Sequence, residues 1–149
     1  MRKSFAGYLT ASISTRVPFH DLDATGVVWH GRYFKYLESA RCVLLESLGY
    51  SYEAMLESGF LWPVVDSQIR YVHPFTLNQQ VKAVACLREW EFHLTVDYRL
   101  ENEEGQVCTR ARTVQVPVDA ITSELRLGCP PIFVQKVEEA MRLLNGQED

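Results

Sequence analysis

The sequence predicts an α+β fold in which an antiparallel sheet closes around one long helix. Two patterns and one size point to it. Residues 31–48 carry an apolar arc too wide for a helix lying on a surface, and residues 61–118 read as strands. The chain of 149 residues is the size of one compact domain, spanning 1–149, and can bury roughly 70% of its unfolded surface without staples.

In chain order, Leu9 to Val17 alternate loosely between apolar residues and Ser or Thr, as a strand with one wetter face does. Pro18 to His30 break the period with a proline, two aspartates and Gly26, and form a loop. Gly31 to Leu48 form the helix. At 100° per residue Tyr33, Leu37, Ala40, Leu44 and Leu48 share a face, flanked by Phe34 and Leu45 on one side and Tyr36 and Val43 on the other. That arc covers roughly 200°, so the helix needs wrapping. Lys35, Ser39 and Glu46 lie opposite. Gly49 stands where a left-handed backbone usually closes a helix. Ser51 then caps a short helix from Tyr52 to Glu57, closed by Gly59. Among the strands, Ile69 and Tyr71 share one face. Val81, Ala83, Ala85 and Leu87 share another, as do Leu94, Val96, Tyr98 and Leu100. Glu103-Glu104-Gly105 turns a hairpin into Val107 to Val118. Pro130-Pro131 open a last helix with Phe133, Val137, Ala140, Met141 and Leu144 along one side.

Bulk properties exclude several function classes. Hydrophobic residues are 47% and charged residues 23%, as in ordinary soluble proteins. Fifteen basic against 19 acidic residues give a net charge of −4, which argues against a nucleic-acid or anionic-membrane partner. Cys42, Cys86, Cys108 and Cys129 have neither zinc-site nor disulfide-framework spacing, and read as reduced thiols in a cytoplasmic protein. The first ten residues lack a signal-peptide core, and no apolar run approaches the ~18 residues of a membrane helix.

The chemically unusual stretch is Asp21-Leu22-Asp23-Ala24-Thr25-Gly26-Val27-Val28-Trp29-His30-Gly31. Two carboxylates, a glycine and a histidine sit in a loop that runs straight into the broad helix. The first turn of a helix offers unpaired amides and partial positive charge, which suit a developing oxyanion. A carboxylate beside it can act as base or nucleophile. Spacing alone also allows plain turn chemistry, with aspartate oxygens bonded to local amides, or a magnesium site.

The run from Phe19 to Arg41, FHDLDATGVVWHGRYFKYLESAR, closely resembles the signature of the 4-hydroxybenzoyl-CoA thioesterase family. It is most similar to the branch holding the Tol–Pal-associated acyl-CoA thioesterases. The D-x-D-x-x-G-V-V-[WY]-[HY] loop, Tyr33, Tyr36 and the Glu38-Ser39-Ala40-Arg41 tail fall in order. The resemblance implies the hotdog fold, a curved antiparallel sheet wrapped around one long central helix. It also implies edge-to-edge dimers with active sites at their interface, at least a homodimer and by expectation a homotetramer. The implied activity is hydrolysis of an acyl-CoA thioester with no cofactor and no metal. The catalytic carboxylate is then Asp23, with His30 at the helix start and the amides near His30 and Gly31 facing the thioester oxygen. Asp21 shapes the loop. Phe19, Trp29 and Tyr33 are the expected substrate-binding residues, and Phe60 and Trp62 would also suit an acyl pocket. Glu38 and Arg41, one turn apart, are expected to form a partly buried ion pair that braces the helix.

One departure from the family pattern concerns the phosphates of coenzyme A. Some relatives carry a basic run after a Glu-Trp step, but here Glu89-Trp90 leads into Glu91-Phe92-His93. Arg70, Lys82, Arg88, Arg110 and Arg112 are the remaining candidates, and an acyl-carrier-protein thioester stays open as the substrate. A hotdog dimer that binds an acyl ligand or partner without hydrolysing it is the alternative from another class.

Overall fold

The computed structural model describes residues 4–147. Its elements in chain order are β1 (Thr10–Arg16), α1 (Tyr33–Ser47), α2 (Tyr52–Glu57), β2 (Phe60–Leu61), β3 (Val64–Tyr71), β4 (Gln80–Glu89), β5 (Leu94–Glu101), β6 (Val107–Gln115), β7 (Val118–Asp119) and α3 (Pro131–Gln147). Five strands form one antiparallel sheet in the order β1-β4-β5-β6-β3, and β2 pairs with β7 in a two-stranded ribbon. The sheet holds α1 against its inner face.

The apolar arc of α1 explains that placement. Tyr33, Tyr36, Leu37, Ala40, Leu44, Leu45 and Leu48 are all buried, and join Val81, Ala83, Ala85, Leu87, Leu94, Val96, Tyr98 and Leu100 in one core. Period-2 side chains from the strands thus meet a period-3.6 arc from the helix. Phe34, on the flank, stays exposed. The helix begins two residues later than its apolar pattern suggests, because residues 30–32 form a tighter 3₁₀ turn that feeds into it. Gly49 closes it at φ +75°, a value that favours glycine. Ser51 caps α2, accepting a hydrogen bond from the Ala54 amide at 3.2 Å.

Three features differ from, or add to, the sequence-based expectation. Glu38 and Arg41 form no ion pair. Glu38 is exposed, whereas Arg41 is buried and donates long bonds to Tyr98 Oη (3.4 Å) and Tyr52 Oη (3.5 Å). The helix turns Arg41 towards the core, out of reach of its neighbour one turn earlier. Second, the outer face of the sheet is partly covered by the segment ahead of β1. Phe5 and Tyr8 pack on Val84 and Cys86, and the Arg88 guanidinium lies 4.4 Å from the Tyr8 ring centroid. Third, that face buries a charge: Asp97 accepts from Arg88 Nε at 2.9 Å and from Arg112 Nε and Nη2 at 2.6 and 3.0 Å. Among the described residues no helix is long and apolar enough to cross a membrane.

Candidate active site

The loop between β1 and α1 is built by its own turn chemistry and then stitched to the chain leading into β4. The Asp23 amide donates to the Val27 carbonyl at 2.8 Å, and the Gly26 amide returns to the Asp23 carbonyl at 3.1 Å. Gly26 sits at φ +85°, so this turn needs a residue without Cβ. Val28 then donates to the Phe75 carbonyl at 2.9 Å, and Val27 bridges to Thr76. These contacts bring the loop beside the end of β3.

The two aspartates, two residues apart, meet opposite fates. Asp21 is fully buried. Its Oδ2 accepts from Lys35 Nζ at 2.6 Å and Tyr36 Oη at 2.7 Å, while Oδ1 has no hydrogen-bond partner and lies 3.9 Å from Arg32 Nε. Burial pushes its pKa up, but the Lys35 and Tyr36 bonds outweigh that and hold it below the ordinary value. Asp21 is therefore committed to tying the loop to α1. Its fixed charge in turn raises the Tyr36 phenol, whose pKa burial has already pushed up.

Asp23 faces outward. Its Oδ1 accepts from the Thr25 hydroxyl at 2.6 Å and the Thr25 amide at 2.8 Å. Those bonds, with smaller help from the Val27 amide and the His30 charge, keep the carboxyl below its usual pKa despite slight burial. Among the described residues it forms no ion pair. The carboxylate is thus ionised at neutral pH and not neutralised by a cation.

It opens into a cleft of about 240 Å³ lined by Asp23, Val27, Val28, His30, Tyr33 and the stretch Tyr71-Val72-His73-Pro74. His30 opens the 3₁₀ turn that leads α1. The amides of His30 and Gly31 donate to no acceptor among the described residues, as the geometry of a helix start requires. Tyr71 Oη donates to the His30 carbonyl at 2.8 Å, so strand β3 clamps this turn. Tyr33 is buried beneath, its ring edge-on to Tyr71 at 4.8 Å between centroids. The Asp23 carboxylate and His30, at the head of the helix, thus line one cleft, an arrangement that acyl transfer can use.

Of the residues singled out from sequence, Asp23, His30 and Tyr33 line this cleft, and Phe19, Trp29 and Gly31 do not. Phe19 is 78% exposed. Trp29 folds over Gly31 instead: a Cβ added there would fall 2.5 Å from the indole ring, so glycine is the residue that fits. Phe60 and Trp62 line a different, apolar cavity of about 430 Å³ together with Tyr52, Met55 and Leu56. That cavity shares no residue with the Asp23 cleft. The smaller cleft is the one lined by the Asp23 carboxylate and His30. Tyr71, the last residue of β3, and His73, two residues beyond it, carry no motif. The only available signal was the β3 alternation that put Tyr71 on a face with Ile69.

A five-stranded antiparallel sheet around a helix, with a carboxylate loop at the helix head, defines a hotdog domain of the thioesterase type. The chain belongs to the Thioesterase-like superfamily, whose family model matches residues 17–138. The protein sll0410 of Synechocystis sp. is 30% identical over 127 residues, covering 80% of this chain and 74% of that protein. Acyl-CoA thioester hydrolase YbgC of Escherichia coli O6:H1 is 26% identical over 112 residues, covering 74% and 84%. Among solved structures, the DHNA-CoA thioesterase of Staphylococcus aureus superposes with a TM-score of 0.80 at 22% identity, covering 94% of this chain and 95% of its own.

Proposed function

We propose that this protein hydrolyses acyl-CoA thioesters to the free acid and coenzyme A, with Asp23 as the catalytic carboxylate. The observation that carries the reading is an ionised Asp23 sharing one cleft with the head of α1. The chain's similarity to the acyl-CoA thioester hydrolase YbgC of Escherichia coli O6:H1 supports the reading. The motif from Phe19 to Arg41 favours the Tol–Pal-associated branch.

In this mechanism Asp23 takes a proton from a water, whose oxygen adds to the thioester carbon. The carbonyl oxygen, now negative, faces the unpaired amides of His30 and Gly31 and the positive end of α1. Collapse of the adduct breaks the C–S bond, and the proton held by Asp23 returns to the departing thiolate. In the alternative, the Asp23 carboxylate attacks the carbon directly and water then cleaves the anhydride. Single turnover in ¹⁸O-water distinguishes the two, since anhydride cleavage at the aspartyl carbon leaves label on Asp23.

The site is completed by a second copy of the chain. Strand β3 is an edge, seven of its eight residues are exposed, and Tyr71-Val72-His73-Pro74 at its end wall the cleft. An unpaired edge of this kind favours pairing with another strand. Two β3 edges joined would give a homodimer, and dimers joined again a homotetramer. The four free cysteines suit a reducing, cytoplasmic setting.

Purified protein incubated with a panel of acyl-CoAs, from short aliphatic to aromatic, and a thiol reagent tests the activity. Release of coenzyme A from at least one is expected. Measurable ligand binding without release from any would leave a non-catalytic acyl-binding protein. Light scattering after size exclusion should give at least twice the 17.1 kDa of one chain, and a stable monomer would remove the interface site.

A further inference from the structure

We infer that the nucleotide end of coenzyme A is held by a row of arginines on the outer face of the sheet, Arg70 and Arg110 with Arg99 beside them. The inference rests on the acyl-CoA reading above.

Register puts these side chains together. Arg70 on β3 is directly opposite Arg110 on β6, and Arg110 is directly opposite Arg99 on β5. Directly paired residues share a face, with Cβ atoms roughly 5 Å apart. Like charges in that arrangement repel and cost stability, so a chain with net charge −4 has placed three cations where they disfavour the fold. One acid answers them: Glu101 accepts from Arg99 Nε at 2.7 Å. Arg70 and Arg110 have no ion pair or hydrogen bond from their side chains among the described residues.

Other cations share this face. Arg88 and Arg112, both plausible from sequence, are locked onto the buried Asp97. Lys82 on β4 and Arg16 on β1 lie three and four strands across the sheet from β3. The unpaired cations beside the cleft are thus Arg70 and Arg110. A guanidinium presents a planar fork matched to phosphate oxygens, and two forks one strand apart match a ligand with several phosphates. Coenzyme A carries a pyrophosphate and a ribose 3′-phosphate.

Position agrees with chemistry. Arg70 immediately precedes Tyr71, which walls the Asp23 cleft. Neighbouring residues of a strand point to opposite faces, so the thioester site and the arginine row lie on the two sides of one edge. From Arg70 to His73 the chain covers at most roughly 10 Å. A pantetheine arm leaving the cleft past the end of β3, where Val72 to Pro74 run on beyond the strand, delivers its phosphates to the row.

Calorimetry with coenzyme A and with dephospho-coenzyme A at fixed ionic strength tests the site on the intact protein. Arg70→Gln and Arg110→Gln should each weaken coenzyme A binding roughly tenfold or more, and should flatten its salt dependence. The variants should raise KM for an acyl-CoA, leave kcat unchanged, and leave hydrolysis of the matching acyl-N-acetylcysteamine, which lacks the nucleotide, unaffected. A folded double variant that binds coenzyme A as tightly as the wild type overturns the proposal, as does a wild type that binds none. Arg70 is exposed, so Arg70→Gln decides alone should the double variant fail to fold. If neither thioester is hydrolysed yet coenzyme A binding still depends on the two arginines, the nucleotide site stands and the hydrolytic reading falls.

Discussion

Replacing each loop aspartate by asparagine separates the carboxylate that builds the site from the one that works in it. Asp21→Asn removes a buried charge that accepts from Lys35 and Tyr36. The new amide can keep an oxygen on Lys35 and Tyr36, but both bonds lose the charge of their acceptor, and its NH₂ is then buried without an acceptor, facing Arg32. Hydrogen bonds to a charged group are worth about 1.5–3 kcal/mol each. Lys35 is 44% exposed and can rehydrate, so its share is discounted and the total loss is about 3 kcal/mol. At roughly 2–4 °C per kcal/mol for a chain of this size, Tm should fall by roughly 6–12 °C. Asp23→Asn keeps an oxygen for the Thr25 hydroxyl and amide, so the turn survives and Tm stays close to wild type. Its kcat should fall at least ~10²-fold. Thermal melts by circular dichroism and coenzyme A release by a thiol reagent read both effects. The reverse pattern, a stable but inactive Asp21→Asn with an active Asp23→Asn, would refute the assignment.

Gly31→Ala should lower kcat/KM and Tm together, because its Cβ would strike the Trp29 indole at 2.5 Å, and Trp29→Ala in the same chain should recover part of both. Additive losses in that double-mutant cycle would mean the two residues are not coupled. Asp97→Asn should cost about 3–5 kcal/mol in urea unfolding, since it removes the charge that faces the buried Arg88 guanidinium; a loss under 1 kcal/mol, the scale of an exposed pair, would contradict the burial. The carboxyls of Asp21 and Asp97 are held below the ordinary aspartate value of 3.8. Their stabilisation is therefore fully present above that pH, and is lost as pH falls through the lower folded values. Melts recorded from neutrality to pH 3 should accordingly show Tm holding level until the acid range, and a drop already complete near neutrality would rule these two groups out. Asp23 is likewise held below 3.8, so its ionisation should impose no loss of kcat/KM until the acid range is reached, and the acid limb assigned to Asp23 should vanish in Asp23→Asn.

The stretch that speaks most plainly in one dimension is the one whose physics is local. The 3.6-residue spacing of Tyr33, Leu37, Ala40, Leu44 and Leu48 predicts a wrapped helix, and those residues are its buried face. Gly49 and Ser51 predict a stop and a cap, and both act within a few residues of themselves. The loop motif likewise places a carboxylate near a helix head, because a turn of five residues cannot carry it far.

What tertiary structure alone decided are the contacts between segments distant in sequence. Asp21 and Asp23 are the same residue type in the same loop, and only the Tyr36 and Lys35 side chains arriving from α1 sort the buried one from the open one. Arg41 looks across one helical turn to Glu38 in the sequence, yet packing offers it the hydroxyl of Tyr98, 57 positions away. The edge position of β3, the covering of the outer face by Phe5 and Tyr8, and the arginine row all follow from strand order and register. Periodicity states which face of a strand is apolar, but it carries no information about which strand lies beside it, because pairing is settled by the joint packing of the whole sheet against α1.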